Sequence, residues 1–174
     1  MMNLLLCLVG FAALAHTAKV FTVPPATVNS PVQAVWQSAA GLAFDGPKLS
    51  GINLTSFDWW YFDAVSENGD SEVTVTFFNN DATALGFGQS IGTVNFVYVV
   101  AKFANGTIFE RLVPATIATI TTLGDGASGA WNGTGASFVG APDLSSYVVT
   151  LQDSAGDTSG TLVLNSVSTY IPYT

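Results

Sequence analysis

Seven consecutive residues, Phe57-Asp58-Trp59-Trp60-Tyr61-Phe62-Asp63, carry five aromatic rings and two carboxylates. In an extended strand successive side chains leave on opposite faces, so the adjacent indoles of Trp59 and Trp60 must diverge. Only one of them can fill a given core. The other must meet a second sheet, a ligand or a partner chain. Phe77-Phe78 repeats that geometry eighteen residues on, and the Asn68-Gly69 dipeptide between the two runs fits a two-residue type I′ hairpin turn. Such a turn pairs Glu67 with Asp70, Asp63 with Thr74, Tyr61 with Thr76 and Trp59 with Phe78. One face of the hairpin then carries Trp60, Phe62, Ala64, Val73, Val75 and Phe77, ending at Asp58 and Asn79, and reads as plain core. The other carries Phe57, Trp59, Tyr61, Asp63, Thr74, Thr76, Phe78 and Asn80, mixing rings with hydrogen-bonding groups as a ligand pocket does. The like-charged Glu67/Asp70 pair keeps a one-residue bulge, which would exchange these neighbours, as the alternative.

The remainder of the chain is patterned the same way. No long stretch repeats its apolar residues every 3.6 positions, and Gly, Thr, Val and aromatics dominate, which predicts an all-β fold. Residues 19–50, with Pro24-Pro25, Pro31 and Pro47, read as an extended lead-in with little regular structure. Asn105-Gly106 turns Val94–Phe103 onto Thr107–Val113. Asn132-Gly133 turns a weaker, glycine-rich pair after Trp131, and Tyr147–Gln152 returns through Thr158–Leu164. Successive antiparallel hairpins of this kind build a β-sandwich or a partly closed, lipocalin-like barrel from residues 51–174.

Residues 1–18 read as a secretory leader: Leu4 to Ala15 is apolar apart from Gly10, too short to span a bilayer, and Ala13-Leu14-Ala15 fits a cleavage site. A secreted protein is the expectation, with no membrane span once the leader is gone. The alternative is a buried N-terminal helix. Cleavage removes Cys7, the only cysteine, and leaves His16, the only histidine, at its edge. About 155 residues then remain, enough for one domain. Zinc sites of the Cys/His type, thiol nucleophiles and Ser-His-Asp triads are thereby excluded, and the residue inventory calls for neither a metal nor a cofactor. A net charge of −8 with four Lys and Arg in all argues against nucleic acid as a partner. Asn53-Leu54-Thr55, Asn105-Gly106-Thr107 and Asn132-Gly133-Thr134 are sequons, so Asn53, Asn105 and Asn132 are candidate glycosylation sites. With 9% of residues charged and 49% hydrophobic, part of the domain's exterior is expected to be covered by something else.

Asp58, set among Phe57, Trp59 and Trp60, is poorly solvated unless paired. Its pKa should rise, fitting it as an acid or a neutral donor, or else it simply accepts hydrogen bonds at a strand end. Asp63 reads as structural, opposite Thr74. Gly86-Phe87-Gly88-Gln89-Ser90 places Gln89 on a flexible loop at the rim of the sheet, and lacks the lysine and helix of a phosphate loop. Lys48, Lys102 and Arg111 read as isolated, solvated charges at strand edges.

The block Gly46-Pro47-Lys48 followed by Asn53-Leu54-Thr55-Ser56-Phe57-Asp58-Trp59-Trp60-Tyr61-Phe62-Asp63-Ala64-Val65-Ser66 resembles the N-terminal half of the fungal Diels-Alderases, which form decalin rings in polyketide–nonribosomal peptide pathways. Val73-Thr74-Val75-Thr76-Phe77-Phe78, Asn105-Gly106-Thr107, Ser128-Gly129-Ala130-Trp131-Asn132-Gly133-Thr134-Gly135 and Tyr147–Gln152 with Gly160-Thr161-Leu162 extend the likeness over about residues 44–172. A more distant resemblance is to the carotenoid hydratases of the hydroxyneurosporene synthase group, which share an acidic-Trp-Trp-Tyr block. The resemblance implies a β-sandwich followed by a lipocalin-like barrel, with a hydrophobic polyene held between them. Thr174 falls about where the first domain would hand over, so this chain would supply one wall and need a C-terminal barrel or a second copy for the other. It also implies pocket roles for Asp58, Trp59, Trp60 and Tyr61, and more remotely for Asp63, Phe78 and Gln89. Asp58 would orient a polar head group, Tyr61 would offer a hydroxyl, and the indoles would shape the polyene. An intramolecular [4+2] cycloaddition needs folding of the substrate and a hydrogen bond to an activating carbonyl, and no nucleophile. Two other readings stand beside it: an alkene hydratase with Asp58 as the acid, and a secreted non-catalytic module whose aromatic face binds a ligand or partner.

Overall fold

A computed structural model describes residues 17–35, 43–81, 84, 91–153 and 158–167. They form ten strands and no helix: β1 (Lys19–Val23), β2 (Phe57–Val65), β3 (Glu72–Asn80), β4 (Asn95–Lys102), β5 (Ile108–Pro114), β6 (Ile117–Leu123), β7 (Gly126–Asn132), β8 (Ala136–Gly140), β9 (Ser146–Gln152) and β10 (Ser159–Asn165). Strands β2-β3-β4-β5 make one antiparallel meander, and β1-β6-β7-β8-β9-β10 make a second sheet. The sheets stack face to face as a sandwich and do not close into a barrel. Residues 1–16 of the leader and Gln89 lie outside the described residues. So do His16, Cys7 and the last seven positions.

The β2–β3 register is Trp59 opposite Phe78, Tyr61 opposite Thr76 and Asp63 opposite Thr74, as the turn position predicts. The turn itself differs. Among the described non-glycine residues only Leu144 has a positive φ, so Asn68 cannot serve a type I′ turn. Instead the Gly69 N–H donates to Ser66 O and the Ser66 N–H to Ser71 O, with Gly69 alone left-handed at φ +76°. The loop is widened by one residue on each side, which preserves the register and lifts Glu67 and Asp70 off the ladder. The β4–β5 connection also departs from a two-residue turn. A three-residue loop closes with the Phe103 N–H donating to Thr107 O and Gly106 at φ +82°. This shifts the register by one residue from the one that an Asn105-Gly106 turn would give.

Two strands lie where the pattern leaves them unmarked. Within the Pro-containing lead-in, β1 pairs with β6, Lys19 opposite Thr122 through Val23 opposite Ala118. In β6 the larger Ile117 sits on the outer parity while small Ala118 and Thr122 flank Ile120 inside, blurring the alternation.

One end of the interior is filled by rings. Trp60 lies 5.7 Å from Trp131 and Phe62 5.2 Å from Phe138, while Phe77 is 4.9 Å from Trp131. The Trp131 indole N–H donates to Phe78 O across the sandwich at 2.9 Å, tying sheet to sheet. Gly129 permits this packing, because a Cβ there would stand 2.6 Å from the Trp131 ring and 2.7 Å from Phe138. At the opposite end, near the β2–β3 and β4–β5 turns, aliphatic side chains meet less completely and leave a partly open cavity of about 290 Å³. Arg111 is not a solvated edge charge: its guanidinium lies 2.7 Å from Asp153, joining β5 to the segment after β9.

Candidate functional site

The candidate site residues separate by parity along β2. Phe57, Trp59, Tyr61 and Asp63 stand on the outer face of the four-stranded sheet. Asp58, Trp60 and Phe62 stand on the inner one. Trp59 is 45% exposed and Tyr61 55%, whereas Trp60 retains 5%. The divergence demanded by two adjacent indoles is therefore realised in full.

On the outer face the rings form a continuous row. Phe57 stacks on Trp59 at 4.9 Å with planes 3° apart, Trp59 meets Phe78 edge-on at 6.1 Å, and Phe78 stacks on Phe96 at 4.8 Å. Phe96 enters through the β3–β4 ladder, opposite Phe78, and Tyr98 follows opposite Thr76. Sequence reasoning missed these two residues as site members. Their own alternation in Asn95-Phe96-Val97-Tyr98 was a usable signal, but the long connection after β3 hides the register. Burial pushes the Tyr98 hydroxyl above its ordinary value, helped by the Glu110 carboxylate to which it donates. At the end of the row Asn80 lies opposite Phe57, fully buried, and neither atom of its amide finds a partner among the described residues. Such a group is costly in an interior, and the amide oxygens of neighbouring Asn79 and Asn95, on the other parity, likewise lack a partner among the described residues. Phe78 thus joins the row as its buried middle member, Asp63 stands exposed opposite Thr74, and Gln89 lies outside the described residues.

Asp58 and Tyr61, the two candidate catalytic groups, do not converge. Asp58 lies on the inner parity at the edge of the sandwich and accepts from the Lys48 backbone N–H at 2.8 Å. Burial raises its pKa, and the hydrogen bond and the charge of Lys48 only partly offset that. Beside it, Asp45 accepts the Tyr147 hydroxyl at 2.7 Å through its carboxylate, and the Trp60 indole N–H at 2.9 Å through its carbonyl. Desolvation raises Asp45 as well, ahead of the opposing effects of Tyr147 and Lys48. Tyr147 is driven upward by its own burial and by that carboxylate. Lys48 is no solvated edge charge either: its ammonium donates to Phe44 O at 2.7 Å and to Gly46 O, and burial lowers its pKa. Residues 43–48 form a strap over the ring-filled end, fastened to β2 by Asp58 and Trp60 and to β9 by Tyr147. The carboxylate is bound to a main-chain amide, as the structural reading of Asp58 expected. Trp60 is likewise a core group that holds this strap.

Residues 24–172 match the Diels-Alderase-like family. The chain belongs to that family. The quinolone epoxide rearrangement protein asqO of Emericella nidulans is 36% identical over 160 residues, covering 90% of this chain and 43% of that protein. Diels-Alderase mycB of Thermothelomyces thermophilus is 36% identical over 92 residues, 53% of this chain and 20% of that protein. The crystal structure of CghA with Sch210972 superposes with a TM-score of 0.64 at 24% identity, over 86% of this chain and 39% of the other, a likeness of fold. The chain therefore spans less than half the length of the family members it matches.

Proposed function

We propose that the outer face of the four-stranded sheet is one wall of a pocket in which a linear polyene is folded for intramolecular [4+2] cycloaddition in fungal secondary metabolism. A further β-domain or a second copy supplies the facing wall. The observation that carries this reading is the ring row, half-exposed at Trp59 and ending at Phe57 opposite the buried amide of Asn80, unpartnered among the described residues. Rings fixed on a sheet restrict a flexible polyene to a reactive shape before the barrier is met. A donor fixed at the end of the row is suited to a carbonyl conjugated with the dienophile. Tyr61 offers a second hydroxyl on the same face. Asp58 acts from behind, by holding the strap. Nothing in this scheme requires a cofactor.

The test supplies the purified chain with a linear polyenoyl tetramic acid. Quenching of Trp59 emission, abolished in Trp59→Ala, supports the wall; emission unchanged at saturating polyene overturns it. Decalin diastereomers formed in the uncatalysed ratio would show that the chain alone does not catalyse the cyclisation. The longer match to asqO favours a second reading, in which the same rings stack on a planar quinolone epoxide as it rearranges. Turnover of that epoxide, without any effect on the polyene, would select it.

We also propose passage through the secretory pathway, on the apolar leader and on Asn105, which stands exposed in a tight turn. At Asn132 the sequon's Thr134 is 2% exposed and its hydroxyl donates to Trp131 O, so glycosylation there would have to precede folding. A mass shift on glycosidase treatment that maps to Asn105 is the expected result.

A further inference from the structure

The cavity between the sheets at the turn end lies across the four-stranded sheet from the ring row, and the function proposed above makes no use of it. Its walls are the inward side chains of Val73, Ala101 and Phe109 on one sheet and Leu151 and Leu162 on the other, with the backbone of Gly160 between the last two. Two small residues create it. Ala101 sits between Val73 and Phe109 in the ladder, where a larger side chain would reach across the gap. Gly160 pairs with Leu151 and so shares its inward face, and a Cβ built on Gly160 would meet no atom within 4 Å. Interiors of this kind are ordinarily packed with few voids larger than a water molecule.

The volume and chemistry specify an occupant. At about 290 Å³ the cavity has roughly twice the room that accepts a benzene ring, space for about ten carbon atoms. Its apolar walls give water few of the two to four partners it needs to be held. Three hydroxyl residues line it, of which Ser159 and Thr161 are exposed and Thr158 is the more buried. Thr158 lines both this cavity and a small adjoining void that reaches Asp153, and its hydroxyl is buried with no partner among the described residues. Asp153 is already paired with Arg111, so among the described lining residues no unmatched charge awaits an ionic head group.

The geometry points to a second binding site, between the sheets, for a neutral amphiphile of about ten carbons whose single hydroxyl or carbonyl meets Thr158. The apolar tail takes the place of the side chains missing at Ala101 and Gly160. The ring row on the outer face is not involved.

The probe is decan-1-ol, titrated into the chain while valine and leucine methyl groups are followed by NMR. Saturable shifts are expected at Val73, Leu151 and Leu162, with Trp59 emission unchanged. Ala101→Leu fills the cavity, so it should raise the thermal midpoint and weaken decan-1-ol by about tenfold or more. Val73→Leu, a smaller change on the same wall, serves if Ala101→Leu does not fold, and should weaken binding in the same direction. Decanoate should bind less well than the alcohol. The assignment falls if no saturable shift occurs or if the filled variants bind as the parent does. Equal binding of decanoate would remove the neutral-head specificity. Methyl shifts that depend on protein concentration without probe would mean that a second copy fills the gap.

Discussion

On the inner face of β2, Trp60 is enclosed by Trp131 and Phe138 and gives its indole N–H to Asp45 O. One residue earlier, Trp59 lies on the outer face, stacked flat on Phe57, with nearly half its surface open. The two side chains are chemically identical and share almost the same backbone. What separates them is whether the polar edge and the apolar ring are both satisfied by the protein itself. Around Trp60 the inner face matches ring and polar edge alike and contributes stability, although farther along the same face Asn79 Oδ1 and Asn95 Oδ1 have no partner among the described residues. The outer face leaves rings and the Asn80 amide unmatched, which is a cost to a domain in isolation and an asset for recognition.

The comparison breaks most visibly if the inner face is opened. Trp60→Ala should cost about 3–5 kcal/mol in denaturant unfolding, since a large buried ring is removed and the strap loses a fastening. Trp131→Phe is smaller: the ring stays, but Phe78 O loses its donor in a buried place, for about 1–3 kcal/mol. Trp59→Ala should cost about 1 kcal/mol or less, being a half-exposed position, while abolishing the quenching by polyene. A loss equal to that of Trp60→Ala would mean that the outer face is covered core, and would end the wall reading.

Asp58→Asn sharpens the comparison through pH. Burial raises the Asp58 pKa in the folded chain above its ordinary value of 3.8, so the folded state holds that proton more tightly than the unfolded one. This contribution to stability is complete below 3.8 and is lost as pH rises through the folded value. Asparagine still accepts from the Lys48 N–H and does not titrate. The thermal midpoint of the variant should therefore gain on the parent as pH rises from acid towards neutral, with the difference smallest in acid. A difference independent of pH would show that Asp58 does not titrate across that range.

Much of the first hairpin was legible in the sequence because the centre of a turn fixes every pair and the wider loop at Asn68-Gly69 keeps that centre, whereas after β4 a three-residue loop moves the centre to Asn105 and shifts the register by one. Asn68-Gly69 therefore gave the partners of Trp59, Tyr61 and Asp63 correctly while giving the wrong turn. The wider loop wins because its own side chains close it, with Ser71 N–H donating to Ser66 Oγ and Asp70 N–H to Asn68 Oδ1. Asp58 was harder. Its sequence neighbours are rings, but its partner Lys48 arrives from ten residues upstream and Asp45 from farther still, and no periodicity announces a strap. Phe96 and Tyr98 were hidden by the register across the connection between β3 and β4, and β1 by prolines that follow it closely.

The pairing of β1 with β6 has a consequence for the order of assembly. Val23 finds Ala118 across about 95 intervening residues, a segment that contains the whole β2–β5 meander. The meander needs only local closures and can form early, whereas the first strand must wait for both its partner and that intervening sheet. Pulsed hydrogen exchange during refolding should protect amides of β2 and β3 before those of Lys19–Val23. Among the described strands, the last to find its place is then the earliest in chain order.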